Sequence, residues 1–316
     1  RFDQGLSPFV ADNFADQRPA LDAKEMRGKM FSLQRPDGGG ENEQGHGRRE
    51  RRLTWFSGQL KRGSMDVLAS RLAAAAKEVG ASVMYDGAHV LGLIAGGQFQ
   101  DPLREGADLM TGSSHKTFPG PQGGFLLSSS QDEAFQRRLN NAMFPGVCSS
   151  YHLHHVAGKV MALAEFMEYG EAYARDTVSN AQAFAEALAS EGFDVLAESR
   201  GYTASHQVLT RHGDLDSGAG ARAAKRLEEA GIITNMNMLP GDTKALSPSG
   251  LRLGVQELTR VGFTNEDMQE VAQFYARVLL KEEDTKRVRQ DVQALKDQHQ
   301  TIRYCFNEEE LSGYPE

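Results

Sequence analysis

The first half of the chain alternates helical and extended apolar patterns. Residues 67–79 (VLASRLAAAAKEV) are rich in alanine and place apolar side chains at helical spacing, which predicts a helix that Gly80 stops. Short apolar runs then predict strands at 81–85, 107–111 and 124–127. Helices that alternate with strands are typical of a mostly parallel sheet with crossover helices. The pattern therefore predicts the α/β fold class, with a mostly parallel sheet flanked by helices.

The second half opens on a long helical pattern over residues 153–189, in which Gly170 predicts a break. Thr264 is predicted to be a helix N-cap, because Glu266 and Asp267 place acidic side chains in the turn that follows it. A smaller α/β unit is expected here. Its predicted strands are 193–196, 206–210, 232–235 and 251–254, and the further predicted helices are 219–230, 265–280 and 281–299.

These patterns divide the chain into four segments. Residues 1–52 are weakly patterned and end in a linker rich in glycine and arginine. Residues 53–180 are expected to form part of a large domain together with an interdomain helix. Residues 181–282 are expected to form the smaller C-terminal α/β domain, and residues 283–316 a charged helical tail.

Composition excludes several classes of protein. The chain has 316 residues and a formal charge of −8, which argues against a protein that binds nucleic acid through bulk electrostatics. The longest apolar run, residues 90–95, is far too short to span a membrane. Two cysteines exclude a disulfide framework and a four-cysteine zinc site. With no signal-peptide pattern at the start, we expect a cytoplasmic protein with no nucleic-acid or membrane partner, and a fragment that lacks its true N-terminus.

One acid and one amine stand where a cofactor site is expected. Asp86 closes a predicted strand, and Lys116 follows another one 30 residues later. In open α/β sheets, ligands bind in the crevice outside the carboxyl ends of the strands. Pyridoxal phosphate chemistry needs a lysine for the aldehyde and an acid for the pyridine nitrogen. By residue type alone, Asp86 also fits a strand-end cap and Lys116 a surface lysine.

Five motifs in order resemble the serine hydroxymethyltransferase family. YDGAHVLGLIAGG (85–97) and SSHKTFPGPQGG (113–124) are similar to the family's D-x-A-H and T-H-K-T-x-x-G-P-x-G-G segments. The segments FPG (144–146), N-x-N with a following proline (235–240) and SGLRLG (249–254) resemble three further family landmarks. The resemblance implies the fold of the pyridoxal-phosphate-dependent transferases related to aspartate aminotransferase.

The resemblance implies roles for the residues of the first two motifs. Lys116 would bind the aldehyde of pyridoxal phosphate, and Asp86 would pair with the pyridine nitrogen. His89 would lie near the phenolic oxygen of the cofactor, with Ser113 and His115 lining the site before the lysine. Lys116, His89 and His115 would be the catalytic residues. Taken alone, His89 also fits a buried core histidine.

The later motifs would supply the substrate side of the site. By resemblance, Arg252 would bind the substrate carboxylate, a role suited to a bidentate guanidinium. Asn237 would face the substrate, on the side where the family binds folate. Gly123 and Gly124 would let the backbone approach the cofactor closely. On their own, Arg252 also fits a surface ion pair and Asn237 a turn residue.

The implied reaction is aldol-type cleavage or formation of the Cα–Cβ bond of a β-hydroxy amino acid, as in serine and glycine hydroxymethyl transfer. Tetrahydrofolate would be the one-carbon acceptor of a true hydroxymethyltransferase, and a homodimer or larger homo-oligomer is implied. Two alternatives stay open. One is a folate-independent threonine aldolase or transaldolase, and the other is an inactive, truncated homologue.

Departures from the family pattern keep these alternatives open. Residues 1–65 match none of the family's upstream landmarks, so the chain is expected to be truncated or rearranged there. FPGVCSSYH (144–152) stands where the family has F-P-G-x-Q-G-G-P, and Gln122 replaces its arginine. His152 and His155 would share a helix face while His154 points away. Because no acidic or cysteine partner is obvious, we predict no metal site.

Overall fold

The computed structural model describes residues 53–57 and 66–307, with side chains described from Ser70 onward. A first sheet runs in the order β1-β2-β3-β4. The pairs β1–β2 and β2–β3 are parallel, and β4 runs antiparallel to β3. The predicted α/β class with a mostly parallel sheet is confirmed. The strands are β1 (Leu53–Ser57), β2 (Ser82–Asp86), β3 (Leu109–His115) and β4 (Pro119–Leu127).

Helices on this sheet follow the apolar pattern. Helix α1 (Asp66–Glu78) precedes Gly80, whose φ of 65° is the left-handed conformation that favours glycine after a helix. Helix α2 (Leu91–Ala95) follows β2 and buries its first three residues. The core under the sheet includes Tyr85, Leu93 and Phe118, all nearly inaccessible to solvent.

Three strand predictions for this sheet need correction. The strand predicted at 107–111 runs over Leu109–His115 instead. No strand was predicted at β1, although Thr54, Trp55 and Phe56 are of types enriched in strands. The strand predicted at 124–127 starts at Pro119 instead, because the glycines and prolines that indicate a loop form the early part of an antiparallel hairpin. Lys116 therefore lies in the turn of that hairpin, immediately after β3.

The predicted break at Gly170 is wrong. Helix α3 (Glu133–Asn141) and a π-helical turn (Ala142–Val147) lead to helix α4 (Leu153–Ser190), which runs unbroken for 38 residues. A Cβ atom on Gly96 would lie 2.4 Å from the carbonyl oxygen of Gly170, so the glycines let the end of α2 approach the α4 backbone. Here glycine provides close packing rather than a helix break.

A second sheet, wholly antiparallel, runs in the order β5-β6-β8-β7. The strand predicted at 232–235 is displaced: residues 232–234 are irregular, and the ladder begins at Asn235, opposite Arg252. The other three predicted strands are confirmed within two residues. The strands are β5 (Asp194–Val195), β6 (Gln207–Arg211), β7 (Asn235–Asn237) and β8 (Gly250–Gly254).

The helices of the second half cover this sheet with a continuous apolar core that includes Phe184, Leu227 and Met268. The predicted cap at Thr264 is confirmed by a reciprocal capping box with Asp267. No helix in the described part of the chain is long and apolar enough to cross a membrane. The predicted linker within residues 1–52 lies outside the described residues. The helices are α5 (Ala219–Glu229), α6 (Gln256–Arg260), α7 (Asn265–Leu279) and α8 (Thr285–Gln298), with a short 3-10 turn (Glu198–Arg200).

Candidate active site

Two strand ends of the first sheet are joined by hydrogen bonds. The hydroxyl of Thr117 donates to the carbonyl oxygen of His89 at 2.9 Å, and it accepts from the amide of Gly92 at 3.0 Å. These bonds connect the loop after β2 to the turn after β3. The Nζ atom of Lys116 lies 3.5 Å from Nε2 of His89. Two predicted site residues 27 positions apart are thus in contact.

Asp86 is the last residue of β2 and is half-buried. Its Oδ1 atom accepts a hydrogen bond from the amide of Ala88 at 3.0 Å and lies 3.5 Å from the hydroxyl of Thr111. The other carboxylate oxygen, Oδ2, accepts no hydrogen bond from the described residues. Asp86 therefore binds the amide of Ala88 at the end of its strand.

The imidazole of His89 is neutral at pH 7. Burial lowers the pKa of His89 to about 4, with further lowering by the positive charges of Lys116 and Arg252 and partial opposition from Asp86. The charges of Lys116, Arg252 and Asp86 therefore all act on the His89 imidazole. A neutral imidazole can hydrogen-bond an uncharged or anionic ligand without adding to the positive charge already present.

Arg252 reaches this cluster from the second sheet. It lies in the middle of β8, opposite Leu209 of β6 on one side and Asn235 of β7 on the other. Its positive charge lowers the pKa of both His89 and His206. The half-buried Arg252 therefore belongs to the wall of the site that the second sheet provides.

Sequence reasoning missed two residues on that wall. His206 is 2% exposed, and its buried Nδ1 atom has no hydrogen-bond partner among the described residues. Burial lowers the pKa of His206 to about 3, assisted by His89, Arg252 and Lys116. The neighbouring Gln207 places Nε2 3.5 Å from Nδ1 of His89. Two adjacent polar residues, His206 just before β6 and Gln207 as its first residue, were the available signal.

The predicted residues around the hairpin are organised differently. Ser113 pairs with Gly124 in the β3–β4 ladder. His115 is exposed, and its Nδ1 atom lies 3.3 Å from both the amide nitrogen and the carbonyl oxygen of Gly123. A Cβ atom on Gly123 would lie 2.4 Å from Nζ of Lys159, so this glycine makes room for a lysine of α4. These residues therefore belong to the hairpin whose turn carries Lys116.

Asn237 ends β7 opposite Gly250, and its side-chain amide donates to the carbonyl oxygen of Met238 at 2.6 Å. The loop that follows is held by Asp242, which sequence reasoning also missed. One oxygen of Asp242 accepts from the amides of Leu239 and Ser249 and from the Ser249 hydroxyl. Burial raises the pKa of Asp242, but these bonds outweigh it and hold the pKa well below its usual range. Asp242 thus anchors the residue just before β8.

The histidine cluster differs from the helical expectation. His152 precedes α4, and the ring centroids of His154 and His155 are 4.5 Å apart, so His154 does not point away from its neighbours. The His152 ring lies 5.5 and 5.6 Å from the other two. In the part of the chain that is described, no group of three or more histidine, cysteine or carboxylate side chains is arranged to hold a metal ion.

Comparisons with known proteins agree on one family. The family model for serine hydroxymethyltransferase matches residues 64–275, most of the chain. The chain belongs to the serine hydroxymethyltransferase family. It is 59% identical over 239 residues to a serine hydroxymethyltransferase of Pyrococcus abyssi and 58% identical over 239 residues to that of Pyrococcus furiosus. Each alignment covers 75% of this chain and 56% of the relative, so the chain spans about half the length of these curated relatives.

A solved structure gives the same fold. The chain is similar to the crystal structure of an L-threonine transaldolase from Pseudomonas fluorescens, with a TM-score of 0.68 and 31% sequence identity. The match covers 76% of this chain and 56% of that chain. The family model begins at residue 64, in agreement with the expectation that residues 1–65 carry no family landmark. Membership of the family is therefore shown for the portion that contains Asp86, Lys116 and Arg252.

Proposed function

We propose that this chain carries the lysine-bearing part of a pyridoxal-phosphate-dependent enzyme of the serine hydroxymethyltransferase type. The observation that supports it most strongly is the 3.5 Å approach of Nζ of Lys116 to Nε2 of His89. The positive charge of Arg252, on the second sheet, lowers the pKa of the same imidazole. The negative charge of Asp86, at the end of β2, raises it. An amine, an acid and a guanidinium converge around one neutral histidine.

The residues present fit pyridoxal phosphate by their donor chemistry. The cofactor needs an amine for its aldehyde and an acid for its ring nitrogen. Lys116 supplies the amine, and Asp86 has a carboxylate oxygen that accepts no hydrogen bond from the described residues. Among the described residues, Nδ1 of His206 is buried and has no hydrogen-bond partner. These features support the cofactor assignment.

Each residue then has a role of its own in the proposed reaction. When bound, pyridoxal phosphate supplies an electron sink for the pair released as the Cα–Cβ bond of a β-hydroxy amino acid breaks. Lys116 would hold the cofactor through its amine, and Asp86 would pair with its ring nitrogen. Neutral His89 would offer a hydrogen bond beside Lys116. Arg252 binds the amino-acid carboxylate bidentately and so orients the bond that breaks.

The other predicted site residues stay as proposals of the same kind. We propose that His115 and Ser113 shape the approach to Lys116, in line with their places in the β3–β4 hairpin. Gly123 and Gly124 would let the backbone approach the cofactor. Asn237 would contact the substrate or a folate from β7.

Two versions of this function differ in whether they need a one-carbon acceptor. Tetrahydrofolate is the proposed co-substrate of a hydroxymethyltransferase, and the relatives' names support that version. A folate-independent threonine aldolase or transaldolase is the second candidate, supported by the name of the similar solved structure. Serine and threonine cleavage should be assayed with and without tetrahydrofolate. Serine cleavage that depends on folate supports the first version, and rapid folate-independent threonine turnover supports the second.

An exposed apolar surface supports a homodimer. Along the first half of α4 and the segment before it, large apolar side chains reach solvent, and such continuous patches mark association sites. Met167 is 89% exposed and Val147 77% exposed. Sedimentation velocity tests the proposal: a dimer that Met167→Asp dissociates supports it, and a monomer at micromolar concentration contradicts it. The other members of the patch are Phe144, Tyr151, Leu153, Val156, Val160 and Leu163.

We further propose a cytoplasmic location, which the two free thiols Cys148 and Cys305 support because cytoplasm keeps thiols reduced. The proposed division into residues 53–180 and 181–282 rests on the two separate sheets. Limited proteolysis tests this division by the size of the resistant fragments, and cell fractionation tests the location.

Cofactor binding tests the central proposal. Pyridoxal phosphate added to the chain should produce the visible absorption band of a lysine-bound cofactor, and Lys116→Ala should abolish it. Lys159→Ala, which removes a neighbouring lysine on α4, is the matched control and should retain the band. Absence of a band in cofactor-saturated wild-type protein would support the inactive homologue instead.

A further inference from the structure

Helix α6 is attached to α4 at both of its ends. It begins two residues after β8, the strand that carries Arg252. At its start, the hydroxyl of Tyr173 in α4 donates to the carbonyl oxygen of Gln256 at 3.3 Å. At its end, Nη2 of Arg260 donates to Oε2 of Glu165 in α4 at 3.1 Å. The segment formed by β8 and α6 is therefore held against α4.

The pair of Arg260 and Glu165 is largely shielded from solvent. Each side chain is 16% exposed, and the guanidinium also donates, through Nη1, to the carbonyl oxygen of Tyr304. The amide of Arg303 in turn donates to the carbonyl oxygen of Arg260 at 2.8 Å. Charge-assisted hydrogen bonds with little access to water are stronger than those on the surface. Arg260 thus has fixed partners on α4 and on the segment after α8.

The same part of α4 also contacts the turn that carries Lys116. The ring of Phe118, two residues after Lys116, has its centroid 5.0 Å from that of Phe166. Phe118 is 2% exposed and belongs to the core under the first sheet, against which Phe166 packs. Phe166 directly follows Glu165 in α4. One turn of α4 therefore contacts the turn that carries Lys116 through Phe166 and the β8–α6 segment through Glu165.

We propose that Arg260 is a positioning residue that fixes the distance between Arg252 and Lys116 by holding the β8–α6 segment against α4. This coupling is a geometric property of the chain, whereas its value to catalysis rests on the proposed function. A carboxylate bound by Arg252 is placed correctly for the group on Lys116 only if the two sheets keep one spacing. Misplacement by about 1 Å can cost about 100-fold in rate.

The geometric coupling is tested in the cofactor-free chain by electron–electron double resonance. Spin labels are attached to cysteines introduced at Ser129, after β4, and at Gln290, on α8, both exposed positions. The two free cysteines, Cys148 and Cys305, are first changed to serine. The labelled protein should give one narrow distance distribution, and Arg260→Met should broaden or shift it.

Arg277→Met is the matched control for this measurement. The Arg277 side chain is 21% exposed, and its ion pairs with Glu283 and Asp291 stay within the second half of the chain, so its loss should leave the distribution unchanged. Circular dichroism establishes that each variant is folded. Glu165→Gln, which removes the charge and keeps an acceptor oxygen, takes the place of Arg260→Met if that variant is unfolded, and it should act in the same direction. A distribution that stays as narrow as that of the control would overturn the proposal.

Kinetics of the cofactor-loaded protein separate positioning from stability. Arg260→Met should raise KM for the amino-acid substrate about tenfold or more and keep the absorption band of the lysine-bound cofactor. In an Arg252→Lys background the same substitution should add little, because residues that act through one contact are not additive. Additive losses, or an equal rise in KM in Arg277→Met, would overturn the proposal. If the wild-type chain binds no cofactor, the proposed function fails, and the spin-label distances still decide whether Arg260 fixes the spacing of the two sheets.

Discussion

The hydroxyl of Thr117 donates to the carbonyl oxygen of His89 at 2.9 Å and thereby joins the turn that carries Lys116 to the loop after β2. Thr117 is fully buried, so both backbone groups that it satisfies, the His89 carbonyl and the Gly92 amide, are shielded from water. This side chain therefore helps to fix the relative position of the two proposed cofactor-binding segments, together with the β2–β3 ladder.

Thr117→Val should therefore lower the free energy of unfolding by about 1–3 kcal/mol, the cost of leaving buried backbone groups unsatisfied. Urea denaturation of the variant and the wild type measures the change. Ser129→Ala, at an exposed position after β4, is the control and should be neutral. A Thr117→Val protein as stable as the control variant would show that the bridge contributes nothing.

Gly170→Ala should be destabilising, although alanine is the better helix former. An added Cβ would lie 2.4 Å from the ring of Phe166, one turn earlier in α4, and overpacking of this kind costs about 1–3 kcal/mol. Gly158→Ala in the same helix meets only Pro121, at 3.1 Å, and should be tolerated better. Thermal unfolding measures the melting temperature of both variants. A Gly170→Ala protein with a higher melting temperature than the wild type would contradict tight packing at this glycine.

Asp242→Asn should weaken the loop before β8. The Oδ2 atom accepts three hydrogen bonds, and an amide replaces one acceptor oxygen with a donor that faces other donors. We expect a loss of about 1–3 kcal/mol and faster amide exchange at Leu239 and Ser249. Thr243→Val, which removes a hydroxyl contact to Asp216 in the same loop, is the control. Unchanged exchange at Ser249 would refute the anchoring role.

Acid should destabilise the fold through the buried histidines. Burial lowers the pKa of His206 to about 3 in the folded chain, whereas the unfolded value is about 6.5, so the unfolded state binds more protons between these values. The stability that neutral His206 contributes is complete above pH 6.5 and is lost as pH falls toward 3, by about 1 kcal/mol per pH unit.

His206→Gln should flatten this dependence in urea unfolding between pH 7 and pH 5. Val208→Ala, a buried non-titrating change two residues away, should lower stability and keep the slope. If the His206→Gln slope equals that of the wild type, another group is responsible for the acid sensitivity.

The sequence patterns predicted correctly those helix and strand ends whose positions depend on neighbouring residues. The helix that ends before Gly80, the strand that ends at Asp86 and the cap at Thr264 depend on neighbouring residues, and each was found near its predicted position. The start of β4 at Pro119 could not be read in this way, because its pairing with His115 overrides residues that usually break strands. Gly170 was misread for the same reason, since its function depends on a distant glycine.

The same distinction between local and distant effects applies to the residues of the site. Asp86 and Lys116 were found because their strand-end positions and family motif are visible in the sequence. Their roles, like that of Arg252, stay predictions until a cofactor is bound. Gln207 and His206 were missed, since the contact of Gln207 with His89 and the electrostatic effect of His89 on His206 arise only from the packing of two sheets.

The most direct measurement is to trap the cofactor on the chain. Pyridoxal phosphate is added, the carbon–nitrogen double bond is reduced with borohydride, and the labelled peptide is identified by mass spectrometry. The account predicts a single modified residue, Lys116, with labelling reduced in Asp86→Ala. Labelling at another lysine such as Lys159, or no labelling at saturating cofactor, would contradict it.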